Sequence, residues 1–246
     1  YWTQPCHFVQ TKDIVPVVSF ANPIGDTTAF TGTYNGQDYT VASLTVTANA
    51  NNTGMFGLFT GDFIRNLNVS ALTLTGASLN AGALVGTVNS VATIDNITLN
   101  NVDVSNITGA ANVAGLIGAT NDSTVAVNNV SVIFADGKGI SGTTAAGLIG
   151  NAGVATSITN ANVTTQGAGT ITGEAYASGL VGLFNGTTID NANVTLSAAL
   201  SATDDYSFVG GIAGKVSNDS TISNNKVTTT ALISANTTGS YAGGII

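Results

Sequence analysis

A four-residue motif, Gly followed by two apolar residues and a second Gly, returns at one even interval: Gly115-Leu116-Ile117-Gly118, Gly147-Leu148-Ile149-Gly150, Gly179-Leu180-Val181-Gly182 and Gly211-Ile212-Ala213-Gly214. A period of a few tens of residues restricts the chain to architectures built by stacking one small unit on the next. Earlier copies stand at Ala83-Leu84-Val85-Gly86 and Gly54-Met55-Phe56-Gly57, and a last one opens at Gly244-Ile245-Ile246 and stops before its closing Gly. Downstream of each complete copy comes a second motif, apolar-x-Asn-x-x-apolar, at 64–69, 94–99, 127–132, 158–163, 189–194 and 222–227.

Helical repeats need apolar residues at i, i+3, i+4 and i+7. Here the segments alternate and are rich in Val, Ile and Thr, as in Thr170-Ile171-Thr172, with Gly and Asn between them; that is strand chemistry. A unit of roughly 32 residues with three short strands buries its apolar face only against its neighbours. The expected fold is therefore all-β: a parallel β-helix, or β-solenoid, with one coil per repeat. The crossover rule favours right-handed coiling. Residues 1–53 read as an N-terminal cap and first coil, with a hairpin turning at Asn35-Gly36; residues 54–246 read as the repeats, truncated in the last.

Within the second motif, the columns led by Ile64, Leu67 and Val69 are all apolar in most copies and must point inward. They lie three and five positions from the first, which one straight strand of period 2 cannot satisfy. The chain must bend at the Asn between them. Asn tolerates left-handed backbone geometry, so Asn66, Asn96, Asn129, Asn160, Asn191 and Asn224 are expected to form a stacked structural ladder at a corner. Of the Asn-x-Ser/Thr triplets, those at Asn68, Asn162 and Asn193 fall on the outward column and are the expected positions for any glycan. Those at Asn96 and Asn129 sit in the ladder and are expected to be inaccessible.

Five Lys or Arg against thirteen Asp or Glu give a net charge of −8, and only 7% of residues are charged, where about 25% is usual. Five scattered cations cannot neutralise a run of phosphates, so nucleic acid is not an expected partner. No stretch reaches the roughly 18 to 20 apolar residues of a membrane span, so membrane insertion is not expected. Asp95 and Asp190 share a column position three rungs apart, roughly 14 Å at about 4.8 Å per rung, too far for two-carboxylate hydrolysis. Asp204-Asp205 and Asn218-Asp219-Ser220 lack the acidic ligands of a calcium loop and read as solvated turns, His7 as a polar cap residue and Cys6 as a buried, inert thiol. No catalytic residue, metal or cofactor is assigned, and the chain is expected not to be an enzyme.

The glycine motif paired with Ile-x-Asn resembles the GLUG-motif repeat family of large surface and secreted proteins, mostly bacterial. Lys12-Asp13-Ile14, Pro23-Ile24-Gly25 and Phe30-x-Gly32-x-Tyr34-Asn35-Gly36 are similar to the segment that leads such arrays. The resemblance runs over nearly the whole chain, from about position 8 to position 246. It implies a parallel β-solenoid in an exported, cell-surface, adhesin-like or stalk-like protein, and it brings no catalytic residues within the repeats. The expected function is accordingly a structural and adhesive extracellular module. Two alternatives are a subunit of a self-assembling filament, associating end to end, and a carbohydrate-binding module that uses a flat Thr/Asn/Ser face on a surface glycan or matrix ligand. The outward column after the ladder, Asn68, Thr98, Ser131, Asn162, Asn193 and Lys226, is irregular for such a face.

Overall fold

The computed structural model of the chain describes residues 5–16, 19–48, 51–121, 124–235 and 237–245. Ile246, in the last glycine motif, lies outside them. The described residues contain strands and no helix, and the strands stack as a parallel β-solenoid of about seven turns.

Three sheets run along the stack. The first has thirteen strands, and its main path passes through His7–Val9, Thr33–Asn35, Phe63–Ser70, Ala92–Thr108, Val125–Phe134, Thr156–Thr164, Thr188–Asp190 and Thr221–Ser223. The second has six: Phe56–Phe59, Val85–Val88, Ile117–Thr120, Ile149–Ala152, Val181–Phe184 and Ala213–Val216. The third has nine, among them Asn80–Gly82, Asn112–Ala114, Ile140–Ala146, Ile171–Ser178, Phe208–Gly210 and Tyr241–Gly243.

The register follows the sequence columns. Ile64, Ile94, Val127, Ile158, Ile189 and Ile222 pair one above another, and the first five are fully buried. Leu67, Ile97, Val130, Ala161 and Ala192 point into the same core. Asn225, next in that column, is half-buried and accepts the Ala192 N–H at 2.7 Å while donating to the Ile189 carbonyl at 3.1 Å. The Val69 column is buried through Val194.

The two glycines of the first motif have separate jobs. A Cβ on the first would enter the core: at Gly115 it would lie 2.8 Å from Val132 Cγ1, and at Gly147 2.6 Å from Val163 Cγ1. A Cβ on the second would strike the third sheet from outside, meeting Asn112 Cβ at 3.0 Å from Gly150 and Thr144 Cγ2 from Gly182. One glycine thus lets the opposite core wall approach, and the other lets two sheets meet at a tight angle.

The expected hairpin is replaced by something else. Thr33–Asn35 and Thr40–Ala42 both pair in parallel with Phe63–Ser70, as consecutive arms of one coil. Between them the Tyr39 N–H bonds the Gly36 carbonyl at 3.0 Å, with positive φ at Gln37 (50°) and Asp38 (60°). The tight turn exists, slightly later in the chain than expected, and bulges from a corner. Parallel pairing on both sides holds the arms apart. Before it, isolated parallel bridges Ile14↔Val41, Phe20↔Val46, Ile24↔Phe56 and Phe30↔Phe59 lay the leading segment down as a first coil. It closes over rings of Phe8, Phe30, Phe56 and Phe59, with Phe30 to Phe56 centroids 5.2 Å apart.

Candidate functional site

All six ladder asparagines have positive φ, between 52° and 56°, so the chain does bend there. Asn66 donates to Asn35, and Asn96 to Asn66, each at 3.0 Å. Asn160 donates to Asn129 at 3.0 Å, and Asn191 to Asn160 at 2.7 Å. Two steps go elsewhere: Asn129 donates to Asp95 at 2.9 Å and Asn224 to Asp190 at 2.8 Å. The two aspartates considered for acid–base chemistry are therefore acceptors within the ladder. Hydrogen bonds from Ser223 and Asn224 hold the Asp190 carboxyl below the usual carboxylate range.

The ladder is not inaccessible. Asn96, Asn129, Asn160, Asn191 and Asn224 are exposed, because a left-handed corner turns its side chain to the outside while the flanking columns point in. Asn162 and Asn193 are exposed as expected and bond each other at 3.2 Å; Asn68 is half-buried, its amide held by the Asp38 carbonyl. Replacing Asn160 by Ala is expected to cost about 1 kcal/mol more than replacing it by Gly, since both lose the amide but only Ala strains the corner. Equal losses in urea denaturation would show that Asn does not serve there for its backbone geometry.

The remaining candidates are scattered. His7 Nδ1 lies 2.7 Å from Thr33 Oγ1 in the first coil. Cys6, expected to be buried, is exposed. Asp205 accepts the Thr238 N–H at 3.0 Å, and Ser220 and Asn218 bond carbonyls of the preceding coil; these turns are clamped to neighbouring coils. Among the described residues no group of three or more His, Cys, Asp or Glu is placed to hold a metal ion. The Lys138 ammonium meets Asp103 at 2.9 Å. Burial works to raise the Asp103 carboxyl, but hydrogen bonds from Ser105 together with Lys138 outweigh it and lower its pKa.

The sequence reading missed the outer angle between the second and third sheets. Along the third sheet, Asn52, Asn80, Asn112, Thr144, Tyr176, Phe208 and Tyr241 form one column. Along the second sheet, Leu58, Thr87, Ala119, Asn151, Leu183 and Lys215 form another. The columns meet across the angle: Asn80 Nδ2 donates to Thr87 Oγ1 at 3.1 Å. In the early coils the angle is filled by amides and hydroxyls, Asn112 donating to Asn80 at 2.7 Å. In the later coils it is aromatic. Tyr176, Phe208 and Tyr241 stack at 5.8 and 5.4 Å between centroids, with 13° between planes. The Lys215 ammonium lies over Phe208 at 5.3 Å and Tyr176 at 6.0 Å.

On the same strand as Tyr176, Thr172 and Glu174 line an open cavity of about 420 Å³, together with Thr108, Ser141, Thr143 and Thr203. A second cavity, about 310 Å³ and lined mainly by apolar side chains such as Phe8, Ile14, Phe20, Ile24 and Met55, lies at the first coil. There Tyr34 donates to Gln10 Oε1 at 2.9 Å, and burial raises its phenol pKa.

No family model matches the chain, and no curated protein does. A solved structure matches: a protein named a putative immunoglobulin A1 protease from Bacteroides ovatus, with a TM-score of 0.61 and 16% identity, covering 96% of this chain and 72% of that one. At that identity the likeness shows the shared β-solenoid fold. It also corrects the expectation that the chain is not an enzyme, because a protein of this fold carries the name of a protease. That expectation rests on the low charge, the separation of Asp95 from Asp190, the lack of calcium-loop ligands and His7 as the one histidine available for Ser/His or Cys/His catalysis.

Proposed function

We propose that the chain is a structural and adhesive solenoid module of an exported, cell-surface protein, with the GLUG-type motif pairing as its family signature. The observation that carries the reading is the exposed corner: asparagines on successive coils, bonded to one another or to aspartate, present amides along the stack. Stacked amides satisfy each other along the axis, where like charges directly opposite would repel. Seven turns at about 4.8 Å give a rod of roughly 34 Å, stiffened by a core that is continuous from Phe30 to Ala213. Such a rod holds whatever it presents at a fixed distance and orientation.

Antibody raised against the purified chain is expected to label intact cells of the source as strongly as permeabilised ones, and the purified chain to compete with those cells for attachment. Labelling that appears only after permeabilisation would sink this reading.

A further inference from the structure

We propose that the later part of the outer angle, from the Thr172–Glu174 strip to the Tyr176–Phe208–Tyr241 stack, binds a neutral oligosaccharide. This goes beyond the adhesive reading by naming a ligand class and its seat, and it rests on the geometry of the angle rather than on where the protein resides.

Three observations converge. The first is the aromatic column itself. The corresponding positions in earlier coils hold Asn52, Asn80, Asn112 and Thr144, and Asn52 and Asn80 both bond Thr87 across the angle. Because the rings cover one another's faces, the column presents ring edges, an apolar strip beside an otherwise polar, hydroxyl-rich face, which is the mixed surface that a sugar site combines.

The second is Glu174, the single Glu of the chain. Its strand pairs with Ile140–Ala146 through Gly142↔Gly173 and Thr144↔Tyr176, so Glu174 and Ala175 together face Thr143. An extra residue of this kind re-aims a side chain out of the ladder. Glu174 is exposed, and Oε2 accepts the Thr143 hydroxyl at 2.6 Å. A carboxylate has four lone-pair sites, which leaves capacity for sugar hydroxyls.

The third is the cavity. Its 420 Å³ falls within the range of small-ligand sites, about 300 to 1,000 Å³. From Thr108 to Thr203 it crosses three coil steps, roughly 14 Å, the length of about three sugar units. Thr, Ser and Glu supply donors and acceptors together, as a polyol requires.

Charge selects the neutral class. The Lys215 ammonium, from the second sheet, already lies over the aromatic column, which disfavours a second cation. A net charge of −8 disfavours an anionic polymer.

The test titrates the full chain with cellohexaose, mannohexaose and maltohexaose, and with the galacturonic acid hexamer as the acidic control, by calorimetry and by NMR. At least one neutral hexamer is expected to bind. Phe208→Ala and Glu174→Gln are each expected to weaken it at least tenfold, while Asn162→Ala leaves it unchanged. Glu174→Gln preserves shape at an exposed position, so it remains informative if Phe208→Ala unfolds. The proposal is overturned if no neutral hexamer binds at millimolar concentration, if only the acidic hexamer binds, or if Glu174→Gln binds as the native chain does. Attachment of intact cells is read separately, so a failed titration leaves the adhesive reading standing on its own test.

Discussion

Replacing Gly147 by Val is expected to lower the thermal midpoint by about 6 to 12 °C. A domain of this size loses about 2 to 4 °C per kcal/mol, and overpacking a close-packed site costs up to about 3 kcal/mol. Any Cβ at Gly147 would meet the Gly179 carbonyl oxygen as well as Val163 Cγ1 at 2.6 Å. The first contact is with backbone, which cannot rotate away. A fall of less than about 2 °C in differential scanning calorimetry, the size that surface changes give, would mean that the glycine column does not serve close approach.

Ile158→Ala should cost about 2 to 5 kcal/mol in urea denaturation, the range for emptying a buried aliphatic site. Ile158 is fully buried between Val127 and Ile189, so coils on both sides would line the cavity it leaves. Thr159, the next residue, is half-buried, and Thr159→Ala is expected to stay within about 0.5 kcal/mol. The contrast tests the register directly, because a slip of one residue would exchange the two faces. A Thr159 variant less stable than the Ile158 variant would refute the column assignment.

Much of this arrangement was legible because a solenoid writes its contacts into a repeat. Ile64 and Ile94 are distant in the chain and neighbours in space, so reading columns amounts to reading packing. The corner was legible for the same reason: Asn at one position in every copy implied a conformation other residues resist. What failed were inferences from local rules. Asn35-Gly36 is a strong hairpin signal, but the flanking strands each found a parallel partner in the next coil. The ladder was expected to be hidden because stacking was equated with burial, whereas its side chains stack along an outside edge.

The outer angle was missed for a different reason. Asn80, Asn112, Thr144, Tyr176 and Phe208 recur at one even interval, so the column was available in the sequence. Its members share no chemistry, and only the meeting of two sheets shows that they line one surface. Glu174 depends on a one-residue slip between paired strands, which no periodic reading can locate.

The corner row also has a direction. Asn66, Asn96, Asn129, Asn160, Asn191 and Asn224 each hand an N–H to an acceptor on the preceding coil, as do Asn112 and Asn193 elsewhere on the surface. Successive peptide groups of each strand point in opposite directions along the axis and largely cancel, but these side-chain dipoles add. The edge of the rod therefore behaves as a weak electrical vector, with hydrogen-bond donors facing one way and carbonyl oxygens the other. Any body that approaches along the axis and continues this row meets it head to tail; the reversed approach sets like poles against each other.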